Sequence, residues 1–120
     1  MDPLVARLIS IAIEAPLAAA IVLVARWPAR GGWAAAAGVA ALATLASHPL
    51  AWDAFQPLWE RYGYWPAAAP VELGVVVFEA LCYRWILAVS APRALALSGL
   101  CNGASFAAGL AIGWLAPWLT

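Results

Sequence analysis

Four long apolar runs constrain the fold of this chain more than any other feature of its sequence. They cover residues 3–27, 33–52, 71–90 and 94–119, with ends placed to within a few residues. An α-helix needs about 20 consecutive, mostly apolar residues to cross the hydrocarbon of a bilayer. The sequence therefore predicts an all-α fold, an integral membrane four-helix bundle that forms a single transmembrane domain over residues 1–120.

The composition supports a membrane protein because the chain has too few charges to cover a water-exposed surface. Hydrophobic residues make up 67% of its 120 residues and charged residues only 10%, whereas a soluble domain carries about 25%. The formal net charge is zero and no basic patch is present, so nucleic acid is not an expected partner. We expect membrane lipids as partners, together with other membrane protein subunits or further copies of the chain.

The segments between the runs predict two short turns and one longer loop. The first turn contains Pro28 and two glycines, and the second contains Pro92. Residues 53–70 combine aromatic and charged side chains with three prolines and a glycine. Since this stretch is too polar to cross a bilayer and is broken by prolines, the sequence predicts an outer loop there.

Arginine and tryptophan indicate how the helices lie across the membrane. Arg26, Arg30, Arg84 and Arg93 fall on the side of the two short turns, against Arg7 and Arg61 on the other. Positive residues concentrate on the cytoplasmic side, so we expect a bacterial inner-membrane protein with both termini in the periplasm. Tryptophans, which prefer the headgroup level, sort to the two ends: Trp27, Trp33 and Trp85 at the inner face, and Trp52, Trp59, Trp65, Trp114 and Trp118 at the outer face.

Two halves of the chain resemble each other and suggest an internal duplication. The segment around Glu14 is similar to the segment around Glu79, and a Pro and an Arg mark both short turns. Residues 48–52 and 115–118 each contain a proline and a tryptophan. Both halves begin on the same side, so the pattern is that of two helical hairpins related by a parallel internal repeat.

Polar residues in the middle of the runs are the first candidates for function. A charged side chain at the centre of a membrane helix costs about 2.5–3.5 kcal/mol on insertion scales, so such residues face the bundle interior. Counting at 1.5 Å per residue places one set of polar residues near the midplane. This predicted buried polar layer consists of Glu14, Thr44, Glu79, Ser98, Asn102 and Ser105.

Two interpretations of this layer remain open from the sequence. Interhelical hydrogen bonds can act as structural contacts that determine which helix faces which. Alternatively, Glu14 and Glu79 form a proton-coupled or cation-binding site. Two carboxylates close together in a low dielectric do not readily both ionise, so we expect at least one to be protonated, and Asn102 can bond to both.

Further out, three charged or titratable residues have two interpretations each. Arg7 and Glu72 are predicted at similar depths and either form an ion pair or reach the headgroups separately. His48 either ligates a pigment magnesium or haem iron, or serves as a helix-end residue, which Pro49 favours. Because no metal or haem motif is present, we expect no metal and no cofactor, apart from an open possibility of lipid or pigment at the bundle surface.

Small residues in the fourth run predict a helix-packing ridge. Gly99 and Gly103 form a GxxxG pair, and Cys101 and Ser105 start a second line of small residues that Gly109 and Gly113 continue. Such ridges allow helices to approach closely. They can pack inside the bundle or against a partner protein.

The neighbourhood of Glu14, residues 11–15, is similar to the first span of the small multidrug resistance transporters. That family also has four spans and a membrane-embedded glutamate in the first, so the resemblance implies a proton-coupled transporter. It covers about one turn of helix. The chain departs from the family pattern in lacking a lysine after the first run, in its acids Glu72 and Glu79, and in segment 53–70. We therefore do not assign it to that family.

These features lead to two hypotheses of function. The first is a non-enzymatic membrane subunit that packs in a larger complex, respiratory or photosynthetic, since the chain has little soluble portion and no recognisable nucleophile. The alternative is a small proton-coupled transporter that uses Glu14 and Glu79. Neither hypothesis requires enzymatic activity.

Overall fold

The computed structural model describes residues 2–115, which form four long α-helices and no β-strand. The helices are α1 (Pro3–Val24), α2 (Gly32–Tyr62), α3 (Tyr64–Leu87) and α4 (Ala91–Leu115). All four are long and apolar enough to cross a membrane, and 89% of the described residues are helical. The predicted all-α class is therefore confirmed. Residues 116–119 of the fourth run, including Trp118, lie outside the described residues, as does part of the repeat match at 115–118.

The first helix begins and ends where local chemistry requires. Asp2 caps its start, because Asp2 Oδ1 accepts hydrogen bonds from the backbone N–H of Leu4 at 2.7 Å and of Val5 at 3.3 Å, and Pro3 suits the first helical position. The turn that follows uses a left-handed Gly31 with φ 75°. A Cβ at Gly31 would lie 2.6 Å from Ala35 Cβ, so both conformation and space favour glycine there.

The predicted outer loop at 53–70 is wrong, because this segment is helical. Helix α2 continues to Tyr62 and α3 starts at Tyr64, with only Gly63 between them at φ 85°. Pro49 and Pro57 lie inside α2. A proline removes one helical hydrogen bond, but α2 and α3 pack along each other throughout this region, and that packing outweighs the lost bonds. The 31 residues of α2 rise about 46 Å at 1.5 Å per residue, which exceeds a hydrocarbon core of about 30 Å. The α2–α3 tip therefore extends beyond it.

The helices form a ring in which each packs against its two neighbours in sequence and α4 closes against α1, while the diagonal pairs do not meet. Both short turns lie at one end, since the N–H of Arg30 donates to the carbonyl oxygen of Leu87 at 2.8 Å. At the same end the Arg93 guanidinium lies 5.7 Å from the centre of the Trp27 ring. The arginines of the two turns thus share one end, and Asp2 and Gly63 lie at the other.

Small side chains fill the interior, and large apolar side chains point outward. The buried core contains many alanines, together with Tyr83, Leu87 and Leu97. Large residues such as Leu42 and Trp85 are more than half exposed. An outward-facing apolar surface matches solvation by lipid, and a small-residue interior lets the helices approach closely. The polar layer lies within this tightly packed interior.

Candidate functional site

Two buried glutamates form the centre of the candidate site. Glu14 is 2% exposed and Glu79 is fully buried. The other four residues of the predicted layer, Thr44, Ser98, Asn102 and Ser105, are buried as well. The structure adds Ser47, which sequence reasoning missed. Ser47 follows Thr44 by three residues and lies on the same face of α2.

Glu14 accepts hydrogen bonds from two hydroxyl groups on the two helices that flank α1. Thr44 Oγ1 of α2 donates to Glu14 Oε2 at 2.5 Å. Ser105 Oγ of α4 donates to Glu14 Oε1 at 2.5 Å. The Cys101 thiol also points at α1, with Sγ 3.7 Å from the Glu14 backbone oxygen. Both carboxyl oxygens of Glu14 are therefore paired with neutral donors.

Glu79 is held by one hydroxyl and one amide, on the two helices that flank α3. Ser47 Oγ of α2 donates to Glu79 Oε1 at 3.0 Å, and Asn102 Nδ2 of α4 donates to Glu79 Oε2 at 2.6 Å. Asn102 Nδ2 also lies 3.0 Å from the Ser98 backbone oxygen. Since both contacts are acceptors, the amide nitrogen and not the amide oxygen faces the carboxyl.

The two carboxyl sites are related by an approximate two-fold pattern. Each glutamate lies on the first helix of a hairpin and bonds to both second helices. Thr44 and Asn102 serve the glutamate of their own hairpin, whereas Ser47 and Ser105 serve the glutamate of the other. On both α2 and α4, the donor to the glutamate of the same hairpin is followed three residues later by the donor to the glutamate of the other hairpin. The four donors thereby connect the four helices through two carboxyl groups.

The hydroxyl groups around Glu14 can match either charge state of its carboxyl. A hydroxyl carries one hydrogen, and each of the two has a second acceptor nearby: Thr44 Oγ1 lies 2.9 Å from the Ala40 oxygen and Ser105 Oγ lies 3.1 Å from the Asn102 oxygen. With Glu14 ionised, both hydroxyls donate to it. With Glu14 protonated, one hydroxyl accepts a hydrogen bond from the carboxyl O–H and donates its own hydrogen to the backbone oxygen. The carboxyl can gain or lose a proton while all these side chains stay in place.

Glu79 has a fixed donor on one oxygen and an adaptable group on the other. The Asn102 amide can only donate to Oε2, so a proton on Glu79 belongs on Oε1, beside the Ser47 hydroxyl. No cation approaches either carboxyl among residues 2–115, since their hydrogen-bond partners are all neutral. The site is suited chemically to taking up and releasing a proton or a monovalent cation.

Two apolar grooves on the membrane-facing surface flank α3 and approach Glu79 from opposite sides. The groove between α3 and α4 has a volume of about 410 Å³ and reaches Asn102. The groove between α2 and α3 has a volume of about 360 Å³ and reaches Ser47. Each groove thus touches one of the two donors that hold Glu79. Neither groove is lined by Thr44 or Ser105, the donors of Glu14.

Tyr83 lies beside this network without joining it. Its side chain is fully buried, and its hydroxyl lies beside the Cys101 thiol but forms no hydrogen bond to either carboxyl. Tyr83 lies one helical turn after Glu79 on α3, yet its hydroxyl does not bond to the Glu79 carboxyl.

Of the two interpretations of Arg7 and Glu72, the ion pair is not formed. The two residues lie on α1 and α3, which are diagonal in the ring and do not pack against each other. The Nε of Arg7 is buried and has no hydrogen-bond partner within residues 2–115. Equal depth predicted the pair, but only the order of helices around the ring decides which side chains can meet.

His48 does not end a helix, so that interpretation is wrong: α2 continues past it to Tyr62. Its ring stacks on Trp52, with ring centres 6.3 Å apart and planes tilted by 8°. Its Nδ1 is buried without a partner in the described part of the chain. No group of three or more His, Cys, Asp or Glu side chains that could hold a metal ion occurs within residues 2–115.

The predicted helix-packing ridge divides between two faces of α4. Cys101 and Ser105 point into the bundle and are buried. Gly99 and Gly103 face outward, and a Cβ at either would meet no atom within 4 Å. Farther along, Gly109 and Gly113 are half-buried. The GxxxG pair therefore does not mediate packing inside the bundle.

Comparison with protein-family models, with curated proteins and with solved structures gives no match.

Proposed function

We propose that this protein is a small proton-coupled membrane transporter in which Glu14 and Glu79 exchange protons. The observation that supports it most is the carboxyl pair itself, buried at the centre of four membrane-length helices and bonded only to neutral donors. Glu79, whose two donors also line grooves on the membrane-facing surface, is the group that meets the substrate. Glu14 is the second proton-binding group.

Energy favours this proposal over a purely structural role for the layer. Each carboxyl residue at a helix centre costs about 2.5–3.5 kcal/mol on insertion scales. Interhelical hydrogen bonds in membranes contribute about 0.6 kcal/mol each on average, and about 1.7 kcal/mol at most. Four average bonds therefore do not offset two carboxyl groups. Serine, threonine and asparagine alone would provide the same helix contacts at a lower cost, so the glutamates require another reason.

Transport by reconstituted protein tests the proposal. Vesicles that contain the protein and an internal pH dye are given a pH gradient, and Na⁺, K⁺ and alkylammonium ions of increasing chain length are added one at a time. We expect at least one of these cations to dissipate the gradient only when the protein is present. Glu79→Gln and Glu14→Gln should each abolish this flux. Glu60→Gln, at an exposed position near the α2–α3 tip, is the matched control and should retain it.

Two results would contradict the proposal. One is the absence of any protein-dependent proton flux across the whole series of cations. The other is flux that survives both Glu14→Gln and Glu79→Gln in the same chain. Circular dichroism and gel filtration of each variant show whether the helices and the particle size are retained.

A second candidate is a non-enzymatic subunit of a larger membrane complex, respiratory or photosynthetic. The outward-facing Gly99 and Gly103 favour it, because they leave space for another helix to approach. Purification in a mild detergent distinguishes the two candidates. Co-purification of a defined partner that Gly103→Leu releases would favour the subunit, whereas a protein that migrates alone and supports proton flux would favour the transporter.

We further propose that the end with the two short turns faces the cytoplasm of a bacterial inner membrane. Four arginines lie at or near these turns, and positive residues concentrate on the cytoplasmic side. Both termini would then be periplasmic. Cysteine variants at exposed Ser90 and Asp53 test this orientation in intact cells, where a membrane-impermeant thiol reagent should modify only the cysteine that replaces Asp53.

The approximate two-fold pattern of donors also supports an origin of the two hairpins by internal duplication. Each second helix has one donor to the glutamate of its own hairpin and one to the glutamate of the other, with the same spacing in both helices. Separate expression of residues 1–62 and 63–120 tests whether each half keeps helical hairpin structure. Recovery of the bundle when the halves are mixed would support two related units.

A further inference from the structure

The groove between α3 and α4 contains one charged group on an otherwise apolar wall. Its lining from α3 includes Trp65, Glu72 and Leu73, and its lining from α4 includes Gly99 and Gly103. Glu72 is half-buried in the wall of the groove, and the buried polar layer that holds Glu14 and Glu79 does not include it. A carboxylate in an apolar groove that faces lipid attracts a cation with an apolar body.

The depth of Glu72 indicates which cation can reach it. Ser47 and Glu79 are hydrogen-bonded, and they lie equally far from Gly63 along α2 and α3. Residues at equal distances from Gly63 on the two helices therefore lie at the same depth. By this count Glu72 lies close to the depth of Asp53. The rise from Gly32 to Asp53 is about 32 Å at 1.5 Å per residue, near the hydrocarbon thickness of about 30 Å. Glu72 therefore lies where the hydrocarbon meets the headgroups.

The end of the groove near the α2–α3 tip suits a lipid headgroup, and the end near the midplane suits an acyl chain. Toward the α2–α3 tip, Trp65 and Phe106 meet edge to face with ring centres 6.4 Å apart, as suits the headgroup level. Toward the midplane, the wall contains Leu73, Val76 and the bare backbone of Gly99. An acyl chain fits the part of the groove toward the midplane, and a charged headgroup fits the part toward the α2–α3 tip.

We propose that this groove binds a membrane lipid with a primary ammonium headgroup, such as phosphatidylethanolamine. The ammonium would donate to the Glu72 carboxylate, and one acyl chain would lie over Gly99 and Gly103. The inference does not require proton exchange at Glu79, although the same groove reaches Asn102, one of the donors of Glu79. It also differs from pairing of two copies through this face, because a second copy seated on Gly99 and Gly103 would exclude lipid from the groove.

Competition between lipids tests the proposal. The full chain, purified in mild detergent, is mixed with equal amounts of phosphatidylethanolamine and phosphatidylglycerol of identical acyl chains, and the retained lipid is measured by native mass spectrometry. We expect the ethanolamine lipid to be retained about fivefold more, as one charge pair near a membrane surface predicts. Phosphatidylcholine, whose quaternary ammonium cannot donate, should be retained less than the ethanolamine lipid.

Variants separate the headgroup contact from the acyl-chain contact. Glu72→Gln should remove the preference for ethanolamine but keep lipid binding, and Asp53→Asn is its control at a similar depth outside the groove. Gly103→Leu should fill the groove and reduce retention of both lipids. Gly38→Leu, an exposed glycine of α2 with open space around it, is the matched control.

Several outcomes would overturn the proposal. Equal retention of the two lipids by the unmodified chain would do so, as would an unchanged preference in Glu72→Gln. If Gly103→Leu leaves lipid retention intact but converts a dimer into a monomer, the groove is a contact between two copies. Failure of these tests leaves proton exchange at Glu79 unaffected, since that is measured separately with Glu79→Gln.

Discussion

Glu14 and Glu79 occupy matching places in the two hairpins, yet their surroundings differ in two respects. Glu14 is held by two hydroxyls, and neither of them lines either of the two grooves beside α3. Glu79 is held by a hydroxyl and an amide, and each of these lines a groove on the membrane-facing surface. Both carboxyls are buried, but only Glu79 has donors that line these two grooves.

This difference suggests a division of roles. Groups that must meet a substrate belong near a surface, whereas a group that only stores a proton can be enclosed. The adaptable hydroxyls around Glu14 suit storage, because they stabilise both charge states. The fixed amide of Asn102 holds Glu79 in one orientation between the two grooves.

Removal of the donors around Glu14 should have the largest effect. Thr44→Val together with Ser105→Ala should lower the free energy of unfolding by about 2–6 kcal/mol, because each unpaired buried oxygen costs about 1–3 kcal/mol. Reversible unfolding in mixed detergent micelles measures this. Addition of Glu14→Leu should restore much of the loss, since replacing both partners by apolar groups is nearly neutral. A loss no greater than that of exposed Ser90→Ala would contradict the expectation.

Removal of the donors around Glu79 should be less damaging. Ser47→Ala with Asn102→Leu should lower the free energy of unfolding by about 1–3 kcal/mol, because the grooves allow water or headgroups to approach the freed carboxyl. The same unfolding assay compares the two double variants directly. If the Glu79 pair costs as much as the Glu14 pair, the proposed difference in access is wrong.

Chemical modification provides a measure of access at rest. Dicyclohexylcarbodiimide, an apolar reagent for protonated carboxyls, should modify Glu79 at least about tenfold faster than Glu14, a difference of about 1.4 kcal/mol in activation free energy. Mass spectrometry of peptide fragments locates the adduct over time. Gly74→Leu and Gly103→Leu should each narrow one groove and slow modification of Glu79. Equal rates at the two glutamates would remove the distinction.

The smallest effect is expected at Tyr83, which lies in the layer but bonds to neither carboxyl. Tyr83→Phe should raise the free energy of unfolding by up to about 1 kcal/mol, because a buried hydroxyl without a partner is unfavourable. Exposed Tyr62→Phe is the control and should change little. Destabilisation by Tyr83→Phe would show that the hydroxyl has a partner, such as a bound water shared with Glu14 or Glu79.

Much of the fold follows from local sequence, and the exceptions have clear causes. Apolar runs of sufficient length predict four membrane helices because unsatisfied backbone groups are not tolerated in hydrocarbon. The helical tip at 53–62 could not be predicted in this way. Pro57 indicates a break when considered alone, but α2 continues through it, and in this region Phe55 of α2 packs edge to face on Tyr64 of α3 with ring centres 5.6 Å apart. Gly63 is the only interruption between the two helices.

The candidate site shows a similar division. Buried acids near the midplane were predictable, because hydrocarbon forces Glu14 and Glu79 inward. Ser47 was not, since a serine carries no comparable cost and many serines lie in membrane helices. The ion pair of Arg7 and Glu72 does not form for a similar reason. The depth of a residue can be counted along the chain, but which helices are neighbours in the ring cannot.

The sequence by itself determined the number of helices, their class, the end at which arginines cluster, and the depth of the two glutamates. These properties depend on the energy of each segment in lipid, which is a sum over residues in one helix. The tertiary structure alone decided which donors meet which carboxyl, that both donors of Glu79 line grooves while those of Glu14 line neither, and that Gly99 and Gly103 face outward. Those properties depend on helix rotation and ring order, which are set by contacts between distant segments.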